Sequence, residues 1–205
     1  MKLNQTAYAI LGILSFHPQQ SGYHIRKTIE TTVGFFWGES FGQIYPTLKR
    51  LAAEGLIVPD ATATSAESGT KKRLEYSLTP AGHACLEEWL AVPYRADPPR
   101  DEFLLKLFFG SEAAPAISVE HIRSFRERNQ RLLATLEAVE SLSSKHNAGH
   151  PGFPFWMLTL SFGLAQLRSA LLWSESALAT LSSLETNPET DRMADLEVAK
   201  AATSS

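Results

Sequence analysis

The period of the hydrophobic residues changes at Gly55, and this change limits the possible folds more than any other feature. Before Gly55, apolar residues recur at spacings of three and four, which predicts helices. After Gly55, a short apolar run at 56–58 and an alternation of apolar and polar residues at 74–78 predict two strands. The segment between them is small and polar and contains nothing that builds a core. The two strands are therefore predicted to form a hairpin.

Four helices are predicted around this hairpin. The first ends at His17, because the proline that follows disfavours helical geometry in the residue before it. Ser40 is predicted to cap the third helix, and Thr79 and Pro80 provide a cap and a first-turn proline for the fourth. Three helices, a hairpin and a further helix predict a winged helix-turn-helix over residues 1–90.

The second half is predicted to be a separate helical domain. Three prolines within residues 91–99 exclude a continuous helix or a central strand there, so this segment is predicted to be a linker. Residues 100–185 contain two long segments with heptad spacing, and residues 186–205 are predicted to be a flexible tail. The predicted fold is mainly α with a small β-wing, namely an N-terminal winged helix-turn-helix plus a C-terminal antiparallel helical dimerisation domain.

The two heptad segments carry more apolar surface than one small helical hairpin can cover, which indicates a second subunit. Ser118 is predicted to cap the first of these helices. Asn129 occupies a seam position, where a buried polar residue can fix register; a place at the edge of the interface is the alternative. The predicted dimerisation residues are Ile122, Phe125, Asn129, Leu132, Leu136, Leu160, Leu164, Leu167 and Leu171.

The charge of the chain argues against a protein coated with positive charge. Residues 1–90 carry eight Lys and Arg against eight Asp and Glu, and residues 91–205 carry 11 against 14, which sums to the formal net charge of -3. Any contact with nucleic acid must therefore be local. Cys85 is the single cysteine and cannot form an intrachain disulfide, and the apolar stretch at 153–167 is shorter than the roughly 20 residues that span a bilayer. A cytoplasmic protein without a membrane partner is expected.

The third helix carries the main candidate for a binding face. At 100° per residue, the apolar positions 44, 48 and 51 lie on one side, and the basic pair Lys49 and Arg50 projects from the other. Pro46 within this segment predicts a late helix start or a distorted first turn. Lys and Arg suit phosphates and guanine edges, which predicts double-stranded DNA as a partner; ordinary solvated charges are the alternative. The candidate DNA-binding residues are Ser40, Gln43, Tyr45, Pro46, Lys49 and Arg50, with Lys71, Lys72 and Arg73 at the wing.

Three blocks of the first half resemble the PadR family of transcriptional regulators: GYHI at 22–25, GESFGQIYPTLKRLAAEGLI at 38–57 and KKRLEYSLTPAG at 71–82. Helix number and length in the second half resemble the subfamily with a long helical C-terminal domain. The resemblance implies a dimeric DNA-binding regulator, usually a repressor, which in some members releases DNA when a small aromatic acid or drug-like compound binds. A two-fold dimer predicts a near-palindromic operator with half-sites about one helical turn apart. Glu75 departs from the family pattern and faces the same side as Arg73, whose phosphate contact it can weaken.

A small aromatic ligand is a further candidate partner. Aromatic residues gather on the last predicted helix, where they can line a cavity near the dimer interface with an arginine as partner for a carboxylate. The alternative is that these residues belong to the core. The candidate effector-binding residues are Phe155, Trp156, Phe162, Arg168 and Trp173.

Other functions fit the sequence less well. Residues 38–42 match the G-x-S-x-G motif of serine hydrolases, but that motif needs a preceding strand in a large parallel sheet. His146 and His150 are spaced like metal ligands, but they fall in a predicted loop without a Cys or carboxylate beside them. No enzymatic activity, cofactor or metal is therefore expected. A winged helix that binds protein instead of DNA is the alternative function, because the fold does not dictate its ligand.

Overall fold

The computed structural model describes residues 3–37, 41–60, 74–94 and 100–185, and the chain divides into two units, Met1–Asp97 and Pro98–Ser205. The described helices of the first unit are α1 (Gln5–Phe16), α2 (Gly22–Thr32), α3 (Ile44–Ala53) and α4 (Pro80–Ala91). Their apolar sides meet in one core, which includes Ala7, Ile10, Leu11, Leu14, Ile25, Ile44, Leu48, Leu51 and Ile57. The predicted order of helices and hairpin is confirmed.

Side-chain caps begin three of these four helices. Asn4, Ser21 and Thr79 each accept a hydrogen bond from the backbone N–H three residues later, at 3.1, 3.2 and 3.0 Å. Each of these bonds satisfies a backbone donor that has no partner inside the helix. α3 differs, because its N-cap is Gln43, whose side chain makes no capping hydrogen bond. Ser40, the predicted cap, lies outside the described residues.

A small antiparallel sheet completes the first unit. Its strands are β1 (Gln20–Ser21), β2 (Ile57–Asp60) and β3 (Glu75–Leu78), in the order β1-β3-β2. β2 and β3 form the predicted hairpin, with Ile57 opposite Leu78. No sequence pattern indicated β1, because two residues are too short to show an alternation. Tyr76 is buried as predicted, whereas Leu74 precedes β3 and is exposed.

The second unit is built on an antiparallel pair of long helices. Its helices are α5 (Glu102–Phe108), α6 (Pro115–His146) and α7 (Phe153–Glu185). Two ion pairs join α6 to α7: Arg126 with Glu175 at 3.0 Å, and Glu137 with Arg168 at 3.1 Å. Residue numbers fall along α7 as they rise along α6, so the predicted antiparallel arrangement is confirmed.

The two predicted heptad seams pack against each other inside this helical pair. Ile122 and Leu136 of α6 are buried, and so are Leu160, Leu164 and Leu167 of α7. Side chains that are buried within one subunit have no surface left for a second one. Their assignment to the dimer interface is therefore wrong. The heptad spacing predicted an apolar stripe on each helix, but it could not show whether that stripe packs on the same subunit or on a second one.

The remaining seam residues are half-buried. Asn129 donates from Nδ2 to the Phe125 carbonyl of the preceding turn at 2.7 Å, so its amide is used within α6. Ser118 lies inside α6, which begins at Pro115, and the predicted cap at Ser118 is also wrong. The half-buried set is Phe125, Asn129, Leu132 and Leu171.

By length and composition, the segment Phe153–Ser183 of α7 is long and apolar enough to cross a bilayer. The count from the sequence missed this, because it stopped at Arg168 and a single charge does not exclude a span. Only 22% of the most apolar window is buried within the subunit. A helix that packs on α6 with one side and on a partner with the other has the same composition. The exposed side of α7 therefore has the composition of a surface that packs against a partner.

Candidate nucleic-acid interface

The candidate interface is built on the start of α3. A 3₁₀ turn at Phe41–Gln43 precedes the α-helix, which begins at Ile44. Pro46 thus falls in the first turn, where a backbone N–H has no partner inside the helix and its absence costs little. The late helix start predicted from Pro46 is confirmed.

α3 has a buried side and an exposed side that run along its length. Ile44, Leu48 and Leu51 are buried in the core. Thr47 is buried as well, which widens the inward side beyond the apolar residues. The exposed side carries Gln43, Tyr45, Pro46 and Lys49. We call this side the exposed edge of α3; Pro46 and Lys49 lie near its middle, and Gln43 and Tyr45 lie on its two flanks, as the helical spacing predicted.

Arg50 does not belong to that edge. It is half-buried, and its Nη2 donates to Asn4 Oδ1 at 2.8 Å. Its Nε is buried and makes no hydrogen bond with any described residue. Position 50 lies about 60° from the buried Thr47 around the helix, so it falls at the border of the inward side. The expectation that Arg50 projects outward beside Lys49 is corrected, because its guanidinium is held at the cap of α1.

Tyr45 packs across the beginning of α2. A Cβ placed on Gly22 would lie 2.8 Å from Tyr45 Cε1, so a larger residue at position 22 would require this ring to shift. Burial raises the pKa of the Tyr76 phenol, and the neighbouring Tyr45 raises it further. Tyr76 is thus a neutral hydroxyl at physiological pH. The packing against Gly22 holds the Tyr45 ring against α2 while the side chain remains exposed.

The base of the wing is tied to the turn between α1 and α2 by Gln19. This residue has a φ of 59°, in the left-handed region that non-glycine residues rarely adopt. Its backbone N–H donates to Ser77 Oγ at 3.3 Å, and its Nε2 donates to Asp60 Oδ2 at 3.2 Å. Sequence reasoning missed Gln19, because both contacts join segments more than 40 residues apart. Lys71, Lys72 and Arg73 lie outside the described residues.

The five residues predicted to bind an effector do not line one cavity. Trp156 stacks on His150 with ring centroids 4.6 Å apart, and Trp173 lies roughly 25 Å further along α7. Arg168 pairs with Glu137, as described above. Phe155 and Phe162 are 70% and 65% exposed, on the side of α7 that faces away from α6. Within one subunit these residues therefore do not form the predicted single pocket, because one long helix spreads its aromatic residues over its length and sides.

A different aromatic group is assembled by three segments of the second unit. The Phe103 and Phe125 rings stack with centroids 4.4 Å apart, and Trp173 meets each of them edge-on at 5.8 Å. The exposed Arg128 places its guanidinium carbon 5.7 Å from the centre of the Phe125 ring. Cations above aromatic faces interact favourably with the ring electrons. This cluster therefore combines stacked rings with an exposed arginine.

The two alternative sites find no support in the described part of the chain. The strands there form a small antiparallel sheet instead of the large parallel sheet that a hydrolase elbow requires. His146 Nδ1 bonds to the Leu142 carbonyl, and His150 Nδ1 accepts from the Gly152 N–H, each at 2.9 Å. The described residues contain no cluster of three or more His, Cys, Asp or Glu suited to a metal ion.

Known proteins match both units. The transcriptional regulator PadR-like family model matches residues 10–88, and the virulence activator alpha C-terminal model matches residues 99–182. The negative transcriptional regulator PadR of Bacillus subtilis is 30% identical over 181 residues, which cover 85% of this chain and 96% of that protein. This chain belongs to the PadR family. It is therefore a DNA-binding transcriptional regulator, and a winged helix that binds protein instead of DNA is not favoured.

Solved structures of the same PadR agree with the fold. The crystal structure of Bacillus subtilis PadR in complex with operator DNA has a TM-score of 0.72 at 30% identity, covering 87% of this chain and 99% of that one. The complex of that protein with p-coumaric acid has a TM-score of 0.68 at 29% identity, covering 85% and 97%. The winged-helix fold with a helical C-terminal part is thus shared over most of both chains.

Proposed function

We propose that this PadR-family protein is a cytoplasmic repressor that places the exposed edge of α3 in the major groove of its operator. The division of α3 carries the proposal: its apolar residues are buried, and Lys49 stands exposed on the same edge as Gln43 and Tyr45. Lys suits a phosphate or a guanine edge, Gln suits adenine, and a tyrosine hydroxyl suits the backbone. The operator complex of Bacillus subtilis PadR supports the same partner for this chain.

The wing cluster and Ser40 complete the proposed DNA contacts. Lys71, Lys72 and Arg73 lie just before β3 in the sequence, separated from it by Leu74. The hairpin loop of a winged helix reaches the DNA backbone beside the groove. Ser40 precedes the 3₁₀ turn at the start of the α3 edge. These assignments rest on position in the sequence.

The second subunit is proposed to cover the outward side of α7. This side shows an unbroken heptad in which every residue is exposed: 155, 158, 162, 165, 169, 172, 176, 179 and 183. It points away from the buried positions 160, 164 and 167 that pack on α6. An exposed apolar side of this length is rare on a monomer and typical of an interface.

Side-chain size along this stripe favours antiparallel pairing with its own copy. The early positions hold Phe155, Leu158 and Phe162, and the later ones hold mainly Ala and Ser. In an antiparallel pair Phe155 of one copy faces Ala179 of the other and Leu158 faces Ser176, so large residues meet small ones toward the ends of the stripe, and Phe162 meets Leu172 in an apolar contact nearer its centre. A two-fold dimer of this kind presents two copies of α3 to a near-palindromic operator.

A small aromatic acid is proposed as the effector that releases the operator. The cluster of Phe103, Phe125 and Trp173 offers ring surface for stacking, and Arg128 offers a charge for the carboxylate. Trp173 remains 40% exposed, so part of its ring is accessible. The complex of Bacillus subtilis PadR with p-coumaric acid supports this class of ligand.

Replacing Lys49 with alanine is expected to weaken operator binding about tenfold and to reduce the slope of log affinity against log salt by about one, because one phosphate or base-edge contact is lost. Fluorescence anisotropy of the full-length protein with a labelled duplex from upstream of its own gene, over a KCl series, measures both quantities.

Arg50→Gln is the matched control for Lys49→Ala. It removes a neighbouring positive charge that is engaged by Asn4, so the salt slope should stay at the wild-type value while the melting temperature falls. A wild-type slope for Lys49→Ala, or a flattened slope for Arg50→Gln alone, would contradict the division of α3.

Arg128→Gln is expected to weaken release of the operator by p-coumaric acid about tenfold or more, since it removes a charged partner of the carboxylate. Arg168→Gln, which removes an arginine held by Glu137, should respond as wild type. The measurement is the acid concentration that displaces half of the bound duplex. The reverse pattern would place the acid near Arg168, and two unchanged variants would remove both arginines from its site.

A further inference from the structure

The exposed side of α2 adjoins the exposed edge of α3. The Tyr45 ring covers Gly22 in the first turn of α2, as the close approach of Cε1 shows. Arg26 lies one helical turn further on the same side of α2, and Glu30 lies one turn beyond it. The hydrogen bond to Glu30 raises the pKa of Arg26, and Tyr45 and Tyr23 add smaller shifts in the same direction. A cation therefore stands beside the edge that carries Lys49.

Arg26 is held by a carboxylate in this structure. Its Nε donates to Glu30 Oε1 at 2.8 Å, and the two side chains are 48% and 35% exposed. An exposed pair at this spacing contributes little to stability, because water and salt screen it. The guanidinium binds phosphate with the same planar fork that it offers to a carboxylate. A backbone phosphate and Glu30 are thus competitors for one group.

We propose that Arg26 contacts a backbone phosphate next to the groove entered by α3, and that Glu30 competes with this phosphate for the guanidinium. The inference rests on the proposed role of α3 and adds a residue of α2 to the interface. In the free protein, Glu30 holds Arg26. On the operator, Arg26 exchanges the carboxylate for a phosphate, so Glu30 lowers the affinity for DNA.

This exchange makes predictions of opposite sign for the two partners. Arg26→Gln removes the phosphate contact, and Glu30→Gln removes the competitor while keeping the length of the side chain. If the pair only stabilised α2, both substitutions would act in the same direction on the melting temperature and neither would change DNA affinity. The sign of the change at Glu30 therefore separates the two roles.

The test is fluorescence anisotropy of the full-length protein on its upstream duplex over a KCl series, with the two single variants, the double variant and Lys49→Ala. Arg26→Gln should weaken binding about threefold to tenfold and reduce the salt slope by about one. Glu30→Gln should strengthen binding about threefold to tenfold, and this gain should disappear in the Arg26→Gln background. Circular dichroism melts of each variant confirm folding at these exposed positions.

Four outcomes decide between the claims. Opposite shifts of the single variants, with no gain from Glu30→Gln in the absence of Arg26, support the exchange. A gain from Glu30→Gln that persists without Arg26 overturns it, because long-range repulsion of phosphate then explains the effect. Loss of affinity in Lys49→Ala with wild-type binding by Arg26→Gln and Glu30→Gln also overturns it and leaves the role of α3 intact. No binding of the duplex by the wild-type protein overturns both.

Discussion

Replacing Gly82 with alanine should destabilise the first unit by about 3 kcal/mol or more, an effect typical of severe overpacking. Gly82 lies in the first turn of α4, where its N–H donates to the cap Thr79. A Cβ at this position would overlap the Leu56 carbonyl oxygen and lie 2.7 Å from Leu78 Cδ1. The Leu56 carbonyl cannot easily move, because it accepts a hydrogen bond from the Thr79 N–H at 3.1 Å and shares the Thr79 hydroxyl with the Gly55 carbonyl, at 3.0 and 2.8 Å. The glycine of the LTPAG block is therefore required by the approach of α4 to the wing.

Chemical denaturation followed by circular dichroism measures this effect, with Gly12→Ala as the matched control. Gly12 lies inside α1, and a Cβ there would meet nothing within 4 Å. Alanine is the better helix former, so Gly12→Ala should leave stability unchanged or raise it by up to about 1 kcal/mol. A Gly82→Ala protein as stable as wild type would mean that the first turn of α4 is not in close contact with the Leu56 carbonyl and Leu78. A destabilised Gly12→Ala protein would mean that another part of the protein packs against α1 at Gly12 and leaves no room for a methyl group.

Replacing Phe162 with glutamate should separate the proposed dimer into monomers at micromolar concentration. Phe162 is 65% exposed in one subunit and lies near the middle of the outward stripe of α7, where it faces Leu172 of the second copy in the proposed pairing. Two-fold symmetry would bury two carboxylates among apolar side chains, at a cost of several kcal/mol. Operator affinity should fall with the dimer, because each monomer contacts a single half-site.

Light scattering during size-exclusion chromatography gives the mass of each species. Thr159→Glu is the control, since this exposed residue lies about 90° around α7 from the centre of the stripe and adds the same charge outside it. We expect Thr159→Glu to remain dimeric. A dimeric Phe162→Glu protein that melts like wild type would show that the second subunit covers another surface.

The sequence alone determined the local structure of this chain. The spacing of apolar residues predicted every long helix, and Thr79 with Pro80 marked the start of α4. Pro46 predicted the late start of α3, and the alternation at 74–78 predicted the wing strand that contains the buried Tyr76. Helical period, hairpin alternation and a cap followed by proline depend on neighbours a few residues apart, so they can be read without coordinates. A serine alone does not mark a helix start, as Ser118 inside α6 shows.

Only the tertiary structure decided which surface each residue faces. Arg50 lies next to Lys49 in sequence, but it turns to Asn4 of another helix, and the leucines of the predicted dimer seam are used within their own subunit. The aromatic residues of α7 lie far apart along the helix, and Trp173 contacts Phe103 and Phe125, which belong to other segments. Burial and hydrogen bonding depend on which segments meet in space. A helical pattern predicts that one side of the helix is buried. Which segment or subunit packs against that side is known only from the folded structure.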